Sequence, residues 1–187
     1  MKIVLVCFAN TCRSPVAEAF LVPALQHEPT ISVLSRGLAG GNGATPEPML
    51  RALAAKHLEL LSESGEVLER DDARSADLLL FMERHLLRDA VVTDPSIWSR
   101  SFTLREFARR GFLNPPERAH EDFPSWLGVL HAGRTREEML GENPADDVTD
   151  PGLGGDQAQF ESMIDEISTV VTKVVPLLSR WSTNEES

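Results

Sequence analysis

The sequence of 187 residues has few of the features that mark secreted, membrane-spanning or nucleic-acid-binding proteins. It contains two cysteines, Cys7 and Cys12, which are too few for a disulfide scaffold and suit a reducing cytosol, so we expect a cytoplasmic protein. Only 18 Lys and Arg residues stand against 29 Asp and Glu residues, and the net charge of −11 argues against nucleic acid and anionic membranes as partners. The apolar run at residues 3–6 gives way to Asn10 and Arg13, so it is too short for a signal peptide or a membrane helix.

The remaining composition is typical of one globular domain. Hydrophobic residues make up 42% and charged residues 25% of a chain long enough to bury a full apolar core. We predict a single domain over residues 1–181 and a polar, frayed tail over residues 182–187. Residues 111–146 are richer in proline and charge, with helical stretches at residues 126–131 and 136–140. We expect an insertion there, either a surface elaboration or a lid or docking element.

Short apolar segments alternate with helical patterns along the chain. Strands are predicted at residues 2–7, 31–35, 77–82 and 101–103. Helices are predicted at residues 14–27, 46–57 and 160–181, the last from apolar residues at three- and four-residue spacing. In the first helix, Ser14 is expected to be the N-cap and Pro15 the first helical residue. The alternation predicts an α/β domain with a four-stranded parallel sheet and helices on both faces.

The junction between the first strand and the first helix carries the pattern Cys-x5-Arg-Ser, from Cys7 to Ser14. A loop that ends a strand and opens a helix directs backbone N–H groups and the positive end of the helix dipole at one point, and such a point binds phosphate. Cys7 would attack phosphorus as a thiolate, which the helix N-terminus and Arg13 both favour. The planar guanidinium of Arg13 matches two phosphoryl oxygens, and the Ser14 hydroxyl can donate a hydrogen bond to the Cys7 sulfur.

These residues also have simpler interpretations. A free cysteine is most often a small buried apolar residue, and the spacing Cys-x5-Arg by itself recurs by chance. Its position, after an apolar strand and before Ser14-Pro15 at a helix start, favours a phosphate-binding loop with Cys7 as the nucleophile. Cys12 is either a packing residue of this loop or the partner of Cys7 in a protective disulfide.

A leaving group that departs from phosphorus needs a proton, so a general acid is expected above the loop. Asp150 in the pair Asp150-Pro151 is the candidate. Asp-Pro is also a common turn, but this pair precedes the final helix, at the predicted carboxyl edge of the sheet, where open α/β folds bind ligands. Asp147 is the reserve candidate.

These segments together resemble the low-molecular-weight protein tyrosine phosphatase family. The similarity lies in residues 6–15, 35–37, 76–83 and 103–107, and in Asp150-Pro151 ahead of Phe160. It implies a phosphorylated protein as substrate, a phosphocysteine intermediate on Cys7, Arg13 as phosphate ligand and Asp150 as general acid and then base. It implies neither a metal nor another cofactor. The residues that would bind phosphate or support the loop are Phe8, Ala9, Asn10, Thr11, Cys12, Ser14 and Ser35.

The sequence departs from the family pattern in the parts that support the loop. The resemblance implies that Asn10, Ser14 and Ser35 form a hydrogen-bonded network that holds the loop in shape. Ala9 replaces the usual glycine and therefore requires a negative φ at that position. Glu63 aligns with the histidine that often supports Asn10, so this support is expected to differ.

The sequence contains no tyrosine, so the tyrosines that often follow Asp-Pro in the family are replaced by Gly152 and Leu153. The Gly-rich segment after the second strand offers no aromatic residue to contact phosphotyrosine. Phe8 or Trp126 could substitute, although a tryptophan in a helical stretch is more often a core residue. Tyrosine-specific relatives usually have an aliphatic residue at the position of Thr11, whereas the arginine phosphatases of the family are similar to this chain in having threonine. A hydroxyl can hydrogen-bond a guanidinium leaving group.

The sequence therefore leaves four functions open, of which hydrolysis of phosphotyrosine leads. Phosphoarginine is the variant that Thr11 favours. Arsenate reduction on the same scaffold would need an external small thiol, because no cysteine follows Cys12. A non-catalytic phosphate-binding module would not need intact Cys7, Arg13 and Asp150. The sequence predicts no particular oligomeric state.

Overall fold

A computed structural model of the protein describes residues 1–40, 45–61, 65–116 and 122–181. The predicted tail at residues 182–187, Glu63, and parts of the Gly-rich segment and of the predicted insertion lie outside these described residues. Within them, no helix has both the length and the apolar character needed to cross a membrane.

The described residues form one sheet of parallel strands. The strands are β1 (Lys2–Cys7), β2 (Ser32–Gly37), β3 (Leu78–Phe81) and β4 (Ser101–Thr103). They lie in the order β2-β1-β3-β4 and every pairing is parallel, which confirms the predicted four-stranded sheet. The order reverses between β1 and β3, and open α/β sheets bind ligands at such a switch point, beyond the carboxyl ends of the strands. Cys7 is the last residue of β1 and lies at this point.

Helices connect the strands and continue beyond β4. They are α1 (Arg13–Ala24), α2 (Glu47–Ala55), α3 (Arg70–Ser75), α4 (Arg84–Thr93), α5 (Leu104–Leu113), α6 (Phe123–His131), α7 (Arg136–Leu140) and α8 (Gln157–Leu178). Short 3-10 helices occur at Pro95–Arg100, Pro144–Asp146 and Ser179–Trp181.

Alternate residues of β1 face opposite sides of the sheet, and each side has its own apolar core. Ile3 and Leu5 are fully buried in the larger core, together with residues of α1, α2, α5, α6 and α8. Val4 and Val6 are fully buried in the second core, which α3, α4 and the 3-10 helix at Pro95–Arg100 complete. The predicted arrangement, with helices on both faces, is confirmed.

The start of the first helix differs from its prediction. The helix begins at Arg13 with Cys12 in the N-cap position, and no side chain caps it. Ser14 is therefore not the N-cap residue. Its hydroxyl instead donates a hydrogen bond to the sulfur of Cys7. An N-cap side chain accepts a backbone N–H of the first turn, whereas the Ser14 oxygen accepts the side-chain amide of Asn10 at 3.1 Å.

Other boundaries moved by a few residues for local reasons. Helix α1 ends at Ala24, short of the predicted end, because Pro23 lacks the N–H that its last turn would use. Helix α2 stops before His57, whose φ of +51° is outside the helical region. Strand β2 continues beyond its predicted end to Gly37, which pairs with Cys7.

The described part of residues 111–146 packs onto the domain through α6. Trp126 is 1% exposed, and its ring contacts those of Phe107, Phe123 and Trp181 at centroid distances of 5.7, 6.0 and 5.6 Å. Trp126 is thus a core residue. The prediction that it can line a phosphotyrosine site is wrong, because its apolar ring is more stable when packed among other rings than at the surface.

Candidate active site

Residues 7–14, called here the phosphate loop, run from the end of β1 into the first turn of α1. Cys7 is 3% exposed at the start of this loop. Asn10 has a φ of +52°, a left-handed conformation that asparagine tolerates better than most residues. The only other described non-glycine residue with a positive φ is His57, so Ala9 has the negative φ that its replacement of glycine requires.

The end of β2 holds the phosphate loop through its backbone. The N–H groups of Leu38 and Ala39 donate to the carbonyl oxygens of Cys7 and Phe8 at 3.0 and 2.9 Å. A Cβ atom on Gly37 would lie 2.9 Å from three backbone atoms of the loop. Only glycine therefore lets the two segments approach this closely.

A chain of hydrogen bonds connects the Cys7 sulfur to the buried side of α1. The Ser14 hydroxyl donates to the sulfur at 3.0 Å. The amide of Asn10 donates to the hydroxyls of Ser14 and Ser35 at 3.1 and 2.9 Å, and Ser35 donates to Glu18 at 2.8 Å. The structure thus brings together the three residues that the resemblance joined in a network. Glu18, which is 6% exposed, is an addition to it.

A second support reaches Asn10 from the segment that precedes α3. Its carbonyl and side-chain oxygens accept the backbone N–H groups of Gly65 and Glu66 at 3.0 and 3.2 Å. Arg36 of β2 is ion-paired with Glu66 and with Asp72, the latter at 2.8 Å. Burial by itself would raise the pKa of Asp72, but hydrogen bonds from Arg36 and from the lysine that begins β1 hold this pKa below its ordinary value.

Arg13 lies between two carboxylates and is 3% exposed. Its Nη1 is paired with Glu83, the residue that follows β3 by two positions. Its Nη2 lies 2.7 Å from Oδ2 of Asp150. The other oxygen of Asp150 accepts the N–H of Gly152 at 2.9 Å, so Asp150-Pro151 forms a turn as well as part of the site. The Asp150 side chain is 48% exposed and remains accessible to a substrate.

Asp147, the reserve candidate for the acid, has another role. Its Oδ1 accepts the backbone N–H of Arg84 at 2.7 Å. Arg84 is the first residue of α4, and a carboxylate there satisfies a free N–H group and complements the helix dipole. The geometry therefore favours Asp150 over Asp147 as the acid.

Cys12 differs from Cys7 in its surroundings. Burial raises the pKa of Cys12 to about 12, the negative charges of Cys7 and Asp150 act in the same direction, and Arg13 opposes them. Cys12 therefore stays a neutral thiol at physiological pH and is a poor nucleophile. Both cysteines are free thiols in the structure.

The exposure of the loop side chains bears on what the site can bind. Phe8 is 56% exposed and borders a cavity of about 410 Å³ whose other walls come from α3, α4 and the residues after β2. Thr11 is 7% exposed, so only a small part of this residue is accessible at the surface of the loop. The residues that the structure describes contain no group of three or more His, Cys, Asp or Glu side chains arranged to hold a metal ion.

Three residues of this site were not found from the sequence: Glu18, Glu83 and Gly37. Glu18 had a signal, since it is a carboxylate within the run Pro15-Val16-Ala17-Glu18-Ala19 that α1 buries. Glu83 also had one, because it comes just after a buried strand at the carboxyl edge of the sheet. Gly37 ends β2 opposite Cys7, but its tight contact depends on strand register, which the sequence does not show.

Known proteins share these features. The family model for low molecular weight phosphotyrosine protein phosphatase matches residues 2–124. The probable low molecular weight protein-tyrosine-phosphatase EpsP of Ralstonia solanacearum is 29% identical over 132 residues, which are 70% of this chain and 89% of that protein. The protein-arginine-phosphatase of Bacillus subtilis (strain 168) is 34% identical over 110 residues, 57% of this chain and 72% of that protein.

A solved structure is similar to this chain in its fold. It is a cysteine-to-serine mutant of the YwlE arginine phosphatase with a phosphorylated active-site serine, and it aligns with a TM-score of 0.68 at 25% identity over 95% of each chain. The family model, in turn, spans well over half of the sequence. The chain therefore belongs to the low-molecular-weight protein tyrosine phosphatase family.

Proposed function

We propose that the protein is a phosphoprotein phosphatase that acts through a phosphocysteine intermediate on Cys7. The observation that carries the proposal is the hydrogen bond of 3.0 Å from the Ser14 hydroxyl to the Cys7 sulfur. The carbonyl oxygen of Arg36 is a second acceptor within reach of the same hydroxyl, at 3.3 Å. The Cys7 sulfur lies closer, although sulfur is the larger atom. A hydroxyl directed at a buried sulfur stabilises the thiolate, whereas a cysteine that only fills space needs no such donor.

In the first step, the backbone N–H groups of the phosphate loop and the guanidinium of Arg13 bind the phosphoryl group. A phosphoryl oxygen and Asp150 compete for Nη2 of Arg13, so binding of the substrate releases Asp150 for proton transfer. The Cys7 thiolate then forms a bond to phosphorus while the bond from phosphorus to the leaving group breaks. Asp150 gives its proton to the leaving atom, which departs neutral.

In the second step, water attacks the phosphocysteine. Asp150, now a carboxylate, takes a proton from the water, the new oxygen–phosphorus bond forms, and the sulfur–phosphorus bond breaks. The electron pair returns to the Cys7 sulfur. The Ser14 hydroxyl stabilises this thiolate as it leaves, and Asn10 holds that hydroxyl in place.

The substrate class is part of the proposal. Phosphotyrosine leads because of the family, and because Phe8 is exposed beside Cys7 and can contact a phenyl ring. Phosphoarginine is the second candidate, favoured by the presence of Thr11 in the phosphate loop and by the similarity to proteins named arginine phosphatases. The threonine oxygen can accept a hydrogen bond from a guanidinium N–H, which no aliphatic side chain offers.

The proposal also includes the surroundings in which the protein works. We place it in the cytoplasm, where a reducing environment keeps Cys7 and Cys12 as the free thiols that the chemistry requires. Its partner is a phosphorylated protein. Nucleic acid and anionic membranes are left out of the proposal because the net charge of −11 would repel both.

Turnover of an aryl phosphate by the wild type and by Cys7→Ser tests the proposed nucleophile. The wild type should hydrolyse it, and Cys7→Ser should lose at least about 10³-fold in kcat, because a serine hydroxyl is a far weaker nucleophile than a thiolate. Wild-type activity in Cys7→Ser would refute the mechanism. Reduction of arsenate with a small thiol, without aryl phosphate hydrolysis, would instead identify a reductase, and binding of phosphate without either reaction would identify a binding module.

Thr11→Ile tests the choice between phosphotyrosine and phosphoarginine. If Thr11 recognises a guanidinium, the substitution should lower kcat/KM for phosphoarginine by about tenfold relative to phosphotyrosine, the value of one hydrogen bond. Thr11→Ser is the matched control because it keeps the hydroxyl. An unchanged ratio in Thr11→Ile would remove the support for the arginine variant.

A further inference from the structure

Arg84 connects the end of β3 to the segment that leads to Asp150. It is 7% exposed and is the residue after Glu83, the partner of Arg13. Its Nη2 donates to Asp146 at 2.6 Å, and its Nη1 donates to the carbonyl oxygen of Glu138 at 2.9 Å. The Arg84 side chain thus joins the first turn of α4 to two points of the chain just before Asp150.

Asp146 is the centre of this attachment. It is 2% exposed, and besides Arg84 it accepts hydrogen bonds from Arg109, at 3.1 to 3.3 Å, and from Asn143 at 2.8 Å. A buried carboxylate is stable only while such donors compensate its lost hydration. The backbone at Asp146 is therefore fixed by several side chains at once.

The fixed backbone continues toward Asp150. Asp147 accepts the N–H of Arg84, and the N–H of Val148 donates to the carbonyl oxygen of Met82 at 2.8 Å. The segment is thus held through the side chains of Asp146 and Asp147 and through the backbone of Val148, and only Thr149 separates this stretch from Asp150. The position of the acid is consequently set by the end of β3 and by α4.

We propose that Arg84 is a positioning residue for Asp150, and that residues 134–146 hold the general acid over the phosphate loop through it. This inference rests on the proposed function. The neighbouring residues Glu83 and Arg84 have different partners. Glu83 holds the phosphate ligand Arg13, and Arg84 holds the segment that leads to Asp150 through Asp146. The role assigned to residues 134–146 is support of the acid, in place of a lid or a surface elaboration.

The effect of Arg84 is expected to be selective. The Cys7 sulfur is held through hydrogen bonds among Ser14, Asn10 and Ser35, in which Arg84 takes no part. Loss of Arg84 should therefore leave the nucleophile in place and displace the acid. Proton donation matters most when the leaving group is a strong base, so the displacement should slow poor leaving groups more than good ones.

The test compares kcat/KM, which reports the step in which the leaving group departs, for p-nitrophenyl phosphate, a good leaving group, and phenyl phosphate, a poor one. The variants are Arg84→Met, Arg84→Lys and Asp150→Asn. Arg84→Met should lower kcat/KM for phenyl phosphate by about tenfold and for p-nitrophenyl phosphate by about twofold, as a part of the 10²- to 10⁴-fold that a general acid supplies. Arg84→Lys should restore part of the loss because it keeps the ion pair with Asp146. Asp150→Asn should show the same preference for the good leaving group, with a larger loss for phenyl phosphate than in Arg84→Met, because it removes the acid itself.

Arg134→Met is the matched control. Arg134 is also a buried arginine of residues 134–146, with a side chain 4% exposed, and it is paired at 3.1 Å with Glu106, which is 2% exposed. Its hydrogen bonds go to Glu106 of α5, His131 of α6, Ser101 of β4 and Trp98 of the preceding 3-10 helix, and so to other partners than those of Arg84. Its loss should destabilise the fold without changing the ratio of the two rates. Urea unfolding of every variant measures how much of its effect is a loss of unfolding free energy.

Equal losses for both substrates in Arg84→Met, or the same ratio as in Arg134→Met, would overturn the positioning role. If Arg84→Met does not fold, Arg84→Lys decides alone, and an unchanged ratio in it would overturn the role too. A selective loss in Asp150→Asn but not in the Arg84 variants refutes only this inference. No selectivity in Asp150→Asn refutes the proposed acid, and the inference with it.

Discussion

Replacing Gly37 with alanine adds one methyl group where β2 touches the phosphate loop. The new Cβ would lie 2.9 Å from the carbonyl oxygen of Phe8, the carbonyl carbon of Ala9 and the nitrogen of Asn10. Carbon atoms in ordinary contact are about 3.5 Å or more apart, so all three distances are too short. Because the three atoms belong to the backbone, no side-chain rotation relieves the contact. Either the phosphate loop or β2 must move.

The size of the effect follows from these distances. The contact needs roughly 0.6 Å of additional separation, and a displacement of about 1 Å in a catalytic group costs about 10²-fold in rate. Strand β2 is held at Gly37 by hydrogen bonds of 2.7 Å to Glu66 and Leu68, so much of the movement falls on the loop. We expect kcat/KM to fall by about tenfold and the free energy of unfolding to fall by about 1–3 kcal/mol.

The assay is kcat/KM for an aryl phosphate, with the free energy of unfolding measured in urea. Gly128→Ala in α6 is the matched control, because no atom lies within 4 Å of its added Cβ. That change removes a glycine from a helix interior and should add about 0.5–1 kcal/mol of stability without altering activity. Full activity in Gly37→Ala would refute the conclusion that this contact sets the position of the loop.

Three further results are expected. Asn10→Ala should lower the free energy of unfolding by about 1–3 kcal/mol, because alanine tolerates the left-handed φ less well and cannot make the side-chain hydrogen bonds. Asn10→Gly should recover only the part of this loss that comes from the backbone conformation. Equal stability of the two variants would contradict this division. Because burial raises the pKa of Cys12 to about 12, Cys12→Ala should leave the pH dependence of kcat/KM near neutrality unchanged. A shift of that pH dependence in the variant would show that Cys12 titrates near neutrality. Burial and then the charge of Arg134 lower the pKa of His131, so the unfolded chain binds its proton first as pH falls through the ordinary value of 6.5, and stability is lost below that pH. The melting temperature of His131→Gln should therefore fall less on acidification than that of the wild type, and an equal fall would refute the assignment.

The fold was largely accessible from the sequence because the strands are central and parallel. Residues 2–7 and 101–103 were predicted with the bounds that the structure gives. In the first of them, residues 3–6 form the continuous apolar run that is typical of a strand buried on both faces. The start of α1 was missed because serine is a typical N-cap residue, whereas here Ser14 lies inside the first turn and its oxygen accepts the Asn10 amide. The sequence left Trp126 open between a site residue and a core residue, because the rings of Phe107 and Trp181 that it contacts lie far away in the chain.

The candidate site was only partly accessible. The spacing of Cys7 and Arg13 is local, so a loop and a helix start are enough to predict that they act together. The contact of Arg13 with Glu83 joins residues 70 positions apart, and the burial of Asp146 depends on arginines of two different helices. Such contacts are set by tertiary packing, and no local pattern in one sequence reports them.

The central claim is that phosphate is carried on Cys7 during turnover. Acid quenching of the wild type during hydrolysis of an aryl phosphate, followed by mass spectrometry of the peptide that contains the phosphate loop, measures this directly. We predict one added phosphoryl group on Cys7, retained when Cys12 is replaced by alanine. Steady turnover with that peptide unmodified at every quench time, or a phosphoryl group on Cys12 instead, would contradict the account.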